Sequence, residues 1–225
     1  MLHRSSIRTL LLLALVASAA RAEIVDRIVA VAGSRVVTWS DVLAEARYQA
    51  FLAGREPPPP DELARPESSE PIVSRLIDQR LLEQDRDALL FDPPDRSETE
   101  RRLAEAQQRF STPEAYQQAL VLAHLTDADL LERLEHETNL LAFVDRRLRP
   151  LVRLDSAETE RYYRETLAPE LRRKGQTEMP PLAAVREEIE EVLAAQQMNE
   201  RLEQLLRDLR ARLGVKVLPQ TAGAQ

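Results

Sequence analysis

Cysteine is absent from the 225-residue sequence. Its absence excludes disulfides, thiolate metal sites, a cysteine nucleophile and the lipid-modified cysteine of a bacterial lipoprotein. Glycine is scarce at 5 residues and aromatics make up only 4%. Few glycines beside many Ala, Leu, Glu, Gln and Arg residues favour helices over a turn-rich sandwich or barrel. Positive charge is in deficit, with 31 Lys and Arg against 38 Asp and Glu and a net charge of -7. That balance argues against nucleic acid as a partner, because such binding depends on clustered Lys and Arg. What is present, 44% hydrophobic and 31% charged residues, describes a soluble chain with an apolar core rather than a disordered or membrane-embedded one.

The one long apolar run is at the start. Arg4 and Arg8 precede Thr9 to Ala20 (TLLLLALVASAA), and Ala20-Arg21-Ala22 fits the small-x-small cleavage pattern. Together they read as a secretory signal peptide over residues 1–22, cut between Ala22 and Glu23. An uncleaved anchor is the alternative, but a dozen apolar residues are short for a span of roughly 20. Removing 22 of 225 residues leaves 203. Removing three arginines and no acids takes the charge from -7 to -10. An acidic exported chain without cysteine fits a bacterial periplasm, with no stable membrane insertion after cleavage.

The remaining chain reads as one strand pair followed by helices. Glu23 to Ala32 (EIVDRIVAVA) is a β-branched run suited to a largely buried strand. Gly33-Ser34 is a two-residue turn, and Arg35 to Thr38 returns as the second strand of a hairpin. Ser40 is the expected cap of a helix over Asp41 to Leu52 that stops near Gly54. Arg55 to Ser69 holds four consecutive prolines and reads as an extended exposed loop, a stiff connection before it is a proline-recognition segment. Helices are expected over Pro71–Leu90, from a capping box at Ser97 to Phe110, from Thr112-Pro113 to about His124, and from Thr126 to Arg149-Pro150. A short helix follows Asp155-Ser156 through Tyr162 and Tyr163. Ala168 to Pro181 is expected to be weakly structured. A long helix runs from Leu182 to about Leu213 and stops at Gly214, before a strand at Val215 to Leu218. A lone strand needs a partner, so the two ends should meet in one small sheet. Residues 219–225 read as a tail.

Catalytic signals are missing. His3 leaves with the signal peptide, and His124 and His136 lie on separate helices without ligand spacing, so neither a metal site nor a cofactor is expected. No glycine-rich phosphate loop and no nucleophile elbow occurs. Glu187-Glu188 and Glu190-Glu191 read as a solvated helix face. Arg146-Arg147 and Arg172-Arg173-Lys174 read as answering local acids or a helix end. The remaining prospect is apolar surface beyond what the core needs, a groove for peptides or unfolded chains. Its candidate anchors are Tyr48, Phe51, Phe110, Tyr116, Phe143, Tyr162 and Tyr163, each of which core packing explains ahead of client contact.

Glu23 to Val42 (EIVDRIVAVAGSRVVTWSDV) closely resembles the mature start of the SurA-type periplasmic chaperones. Pro71 to Leu89, the STPEAYQQAL segment, Ser156 to Arg164 (SAETERYYR) and LRDLRARLGVKVL follow in the order those proteins use. The resemblance implies a mainly α fold: a helical chaperone core with a small β-sheet made from the N-terminal hairpin and the C-terminal strand. It divides the chain into an N-terminal helical module (23–167), a linker (168–181), and a C-terminal helix and strand (182–218) packing back on the module. In such proteins a parvulin prolyl-isomerase domain sits between the Tyr-Tyr segment and the closing helix. Here only residues 164–181 lie between Tyr163 and Leu182, and a domain needs at least about 50. The resemblance therefore implies ATP-independent binding of unfolded exported or outer-membrane proteins, without isomerase activity. The alternative is a structural or adaptor protein that uses the same fold to hold one envelope partner.

Overall fold

The computed structural model describes residues 26–175 and 178–219. The signal segment with its cut between Ala22 and Glu23, the first residues of the expected strand, and the tail from Gln220 lie outside them.

The chain opens with β1 (Ile28–Ala32) and β2 (Arg35–Thr38), joined through Gly33-Ser34. Gly33 has φ +60°, a backbone conformation that glycine adopts without strain, and the Gln84 side chain lies against it. At the far end of the chain β3 (Val215–Val217) pairs antiparallel with β1, giving the sheet order β2-β1-β3. Ala30 is the hinge of the register, opposite Val37 on one side and Val217 on the other. The Gly33 amide also donates to Gly214 O at 2.9 Å, tying the turn to the end of the last helix. The expectation of a mainly helical chain whose two ends share a small sheet holds.

Between these strands the chain is helical. α1 (Trp39–Leu52) is capped by Thr38, not by the expected Ser40: Thr38 Oγ1 accepts from the Asp41 amide, and the Asp41 carboxylate accepts from the Thr38 amide. The strand's last residue doubles as cap because its extended backbone already has the required ψ. The proline stretch is also more ordered than expected. It holds α2 (Pro60–Leu63), and α3 starts at Pro66 and runs through Pro71 to Ala88. Pro66 suits the first helical position, and buried Leu63 and Ser69 fix this segment against the body.

α4 (Ser97–Gln108) lacks the expected capping box; Asp95 instead accepts from the Ser97 amide at 2.9 Å. α5 (Pro113–Leu122) and α6 (Asp127–Leu148) start as anticipated, on Thr112 and on a Thr126–Asp129 capping box. A 3-10 turn (Arg149–Leu151) leads to α7 (Ser156–Tyr162), a π turn (Tyr163–Leu167) and α8 (Ala168–Arg173). The expected weakly structured stretch is thus helical in its first half. Buried Ala168 seats α8, which continues α7 through the π turn. α9 (Leu182–Leu213) ends at Gly214, φ +79°.

Two apolar cores result. The first joins the sheet to α3, α6 and the C-terminal half of α9, with Val29, Ala30, Val37, Ile77, Leu81, Phe143 and Leu209 buried. Ala30 and Ala32 are fully buried because their small side chains let α3 approach the sheet, where Gln84 Nε2 donates to Ala32 O at 2.8 Å. The second core lies between α1, α5 and α6, around Tyr48, Phe51, Tyr116, Leu120, Leu130 and Leu134. The N-terminal half of α9 leaves this body and packs with α7, which continues through the π turn into α8, as an arm that buries Thr159, Ile189 and Leu193.

Candidate functional site

Four of the seven aromatic candidates are core residues, which corrects their reading as client anchors. Tyr48, Phe51, Tyr116 and Phe143 are each no more than 6% exposed. Phe51 stacks on Phe110 at 5.4 Å between centroids and meets Tyr116 edge-on at 6.1 Å. Phe110 is half-buried and closes the same cluster. Rings held in mutual contact gain more from one another than from solvent-side ligands. The Tyr116 hydroxyl donates to Asp127 Oδ1 at 2.6 Å, and burial with this bond pushes its pKa up to about 12. Tyr162 and Tyr163 sit half-buried on the arm. The Tyr163 hydroxyl donates to Pro180 O at 2.6 Å, closing the chain between α8 and α9 onto the π turn.

Exposed apolar side chains lie elsewhere, mostly aliphatic and near helix ends. Leu89 and Leu90 follow α3; Val121 and Leu122 close α5; Leu141 lies on α6; Leu151 and Leu154 follow it, and Val192 lies on α9. The Leu151–Leu154 segment is held to α9 by Gln197, whose side chain exchanges hydrogen bonds with the Arg153 amide (3.1 Å) and carbonyl (3.0 Å). Leu122 shares a pocket of about 290 Å³ with Leu43, Leu63, His124 and Pro57 to Pro60. Sequence reasoning missed these positions because it looked for aromatic anchors. The available signal was doubled aliphatics next to a helix stop, as in Leu89-Leu90 before Phe91-Asp92-Pro93.

The main polar cluster lies where α1, α3 and α6 meet, around an open cavity of about 310 Å³ lined by Asp41, Glu45, Arg80, Arg133, His136 and Glu137, among others. Glu83, 1% exposed, accepts from Arg35 Nη1 (3.2 Å) and Arg80 Nη1 (3.3 Å), and pairs with His136 Nε2 at 2.7 Å. Burial alone would raise its pKa, but the His136 hydrogen bond and Arg80 hold it below the usual carboxylate value. Glu45 pairs with Arg133 at 3.0 Å and Arg75 at 3.7 Å. Glu137 is pushed the other way: burial lifts its pKa, and Glu45 adds to the lift against the Tyr48 hydroxyl. Glu45 and Glu137 meet arginines of other helices and Glu83 meets Arg35 of β2, so the cluster ties these elements together. It offers no nucleophile beside a base. Among the described residues no group of three or more His, Asp and Glu is placed to hold a metal ion. No described helix is long and apolar enough to cross a membrane.

Compared with known proteins, the chain matches no protein-family model, and no curated protein matches it. The basic runs divide between two roles. Arg147 answers Asp85 at 3.0 Å, as expected of a local pair. Arg146 has no carboxylate within ion-pair distance among the described residues; it lies over the Phe91 ring, 4.6 Å from its centroid. Of the doubled glutamates, Glu190 pairs with Arg186 at 3.5 Å, while Glu187, Glu188 and Glu191 face solvent.

Proposed function

We propose that this chain is an ATP-independent chaperone of the bacterial periplasm, resembling the core of the SurA-type proteins without their isomerase domain. Its clients are unfolded exported polypeptides, outer-membrane proteins among them. One observation carries the reading: apolar surface remains after two cores are filled. Leu90 is 89% exposed and Val121 73%, and Leu122, Leu89, Leu141 and Leu151 each exceed half. Single exposed leucines are ordinary, but adjacent ones at successive helix ends suit a surface that meets extended apolar chain. Binding of this kind needs neither nucleotide nor metal. The short connection from the π turn to α9, closed by Tyr163 on Pro180, supports the absence of an isomerase. The export address and the sheet that joins both ends belong to the same resemblance.

The test is suppression of aggregation. The purified chain from Glu23 onward should keep an unfolded outer-membrane protein soluble at equimolar ratio, without ATP. Aggregation unchanged at that ratio ends the reading. A single co-purifying envelope protein without general suppression would favour the adaptor instead. A proline-peptide isomerisation assay should give no rate above background.

A further inference from the structure

Among the described residues, α1, α3 and α5 close with the same pair of reversed hydrogen bonds, in which the residue after the cap is left-handed. After α1 that residue is Gly54 (φ +61°), and the closing bonds are Gly54 N to Phe51 O, 3.0 Å, and Arg55 N to Ala50 O, 2.9 Å. After α5 it is His124 (φ +54°), and after α3 it is Leu90 (φ +50°). At Leu90 the bonds are longer: Leu90 N to Asp87 O, 3.3 Å, and Phe91 N to Arg86 O, 3.4 Å. Glycine or asparagine suits this position; a leucine is strained there by its Cβ. Leu90 recovers nothing by burial, since it is 89% exposed, and its neighbour Leu89 is 56% exposed.

The strained leucine lines a groove of about 350 Å³ together with Leu89, Phe91, Asp92, Phe143, Arg146 and Arg147. Phe143 forms a buried floor and meets Phe91 edge-on at 5.5 Å. Arg147 is committed to Asp85. Arg146 is not paired with any acid among the described residues; its contacts there are the Phe91 ring and, at 3.5 Å, the Asp92 carbonyl. The groove thus offers a buried phenyl ring, an exposed leucine and a guanidinium that pairs with no described carboxylate, Asp92 meeting it only through its carbonyl.

We infer that this groove binds an extended peptide segment carrying a large apolar or aromatic side chain next to a carboxylate. The apolar side chain covers Leu90 and Phe91 and approaches Phe143, and the carboxylate meets Arg146. Charge complementarity selects this occupant over a basic one: Arg146 forks toward a carboxylate with two parallel donors, and a lysine there would face like charge. The inference rests on the reading that the chain binds unfolded polypeptide, and assigns that binding to one place.

The experiment uses the full chain from Glu23, its Leu90→Gly and Arg146→Glu variants, and two fluorescein-labelled peptides, Gly-Ser-Phe-Asp-Phe-Ser-Gly and Gly-Ser-Phe-Lys-Phe-Ser-Gly. Fluorescence anisotropy should show the aspartate peptide binding more tightly. Leu90→Gly should weaken it roughly tenfold, the scale of losing one partly covered leucine, while thermal unfolding moves to the same or a higher temperature. Arg146→Glu should invert the preference between the peptides. No binding by the unmodified chain, unchanged affinity in Leu90→Gly, or an unchanged preference in Arg146→Glu overturns the groove. Aggregation suppression by an unmodified chain that binds neither peptide removes the groove and leaves the chaperone reading. Peptide binding lost in Leu90→Gly, in a protein that suppresses no aggregation, does the reverse.

Discussion

Around the sheet the core is mainly aliphatic, with Phe143 as its buried ring, and drawn from both ends of the chain, from Val29 to Leu209. Between α1, α5 and α6 it is aromatic and drawn from a shorter stretch, Tyr48 to Leu134. The first core forms only when nearly the whole chain has closed on itself, a costly loop repaid by three strands and the α3–α9 packing. The second needs neither terminus. α6 connects them, giving Leu130 and Leu134 to the aromatic core and Phe143, Val144 and Leu148 to the sheet core. The ionic cluster of Glu45, Glu83, Arg133 and His136 lies at that junction. Apolar packing fills the two centres, and charge ties together the elements between them.

Truncating a central residue of each core tests whether they are one cooperative unit. Phe51→Ala should cost about 4 kcal/mol and Leu209→Ala about 3 kcal/mol, as large-to-small changes at sites with little room to collapse do. Urea unfolding followed by Trp39 fluorescence, which reports the sheet core, and by far-UV circular dichroism should shift together for both variants, because α6 spans both. A Phe51→Ala transition that leaves the Trp39 signal in place would separate the cores.

The junction comes next in size. Glu83→Ala leaves Arg35, Arg80 and His136 without their shared hydrogen-bonding partner and should cost about 2 kcal/mol at pH 7, less than for a fully buried pair because its partners reach solvent. Glu83's pKa in the fold is below its ordinary 4.5. Its stabilisation is therefore present above that value and lost as pH falls through the lowered one. An acid titration of stability should be shallower in Glu83→Gln. Glu137 has the opposite sign. Burial, with Glu45, raises its pKa, so the stability it contributes is present below pH 4.5 and lost as pH rises through the raised value. Glu137→Gln should stabilise at pH 7 by less than about 1 kcal/mol, since its side chain is 39% exposed. Equal destabilisation by both substitutions would show that the cluster acts only through packing.

The smallest effects are at the two matched helix ends. Gly54→Leu should cost about 1 kcal/mol, and Leu90→Gly should gain about 0.5 kcal/mol, strain relief exceeding the added chain entropy. Differential scanning calorimetry of the pair checks both signs. A loss of stability in Leu90→Gly would mean that Leu90 is packed.

The helices were largely legible because their signals are local. Thr126 with Asp129, Thr112 with Pro113, and Gly214 mark ends by chemistry that acts within one turn. The pairing of the last strand with the first was also legible, since no other described strand could satisfy its backbone. Ser40, the Ser97 box and the proline stretch misled because several local solutions compete there, and packing chose Thr38, Asp95 and Pro66. The aromatic candidates misled for a related reason: hydrophobicity says that Phe51 and Tyr116 seek contact, not whether another ring already supplies it.

The sequence by itself determined the helix-rich composition, most helix ends and the closure of the sheet, since propensity, caps and unpaired strand edges act over a few residues. Only the tertiary structure decided which apolar side chains were left over, that Glu83 gathers Arg35, Arg80 and His136, and that Arg146 meets no acid among the described residues. Each of these depends on which groups from distant segments arrive first at the same place, and burial and ion pairing are properties of that arrangement.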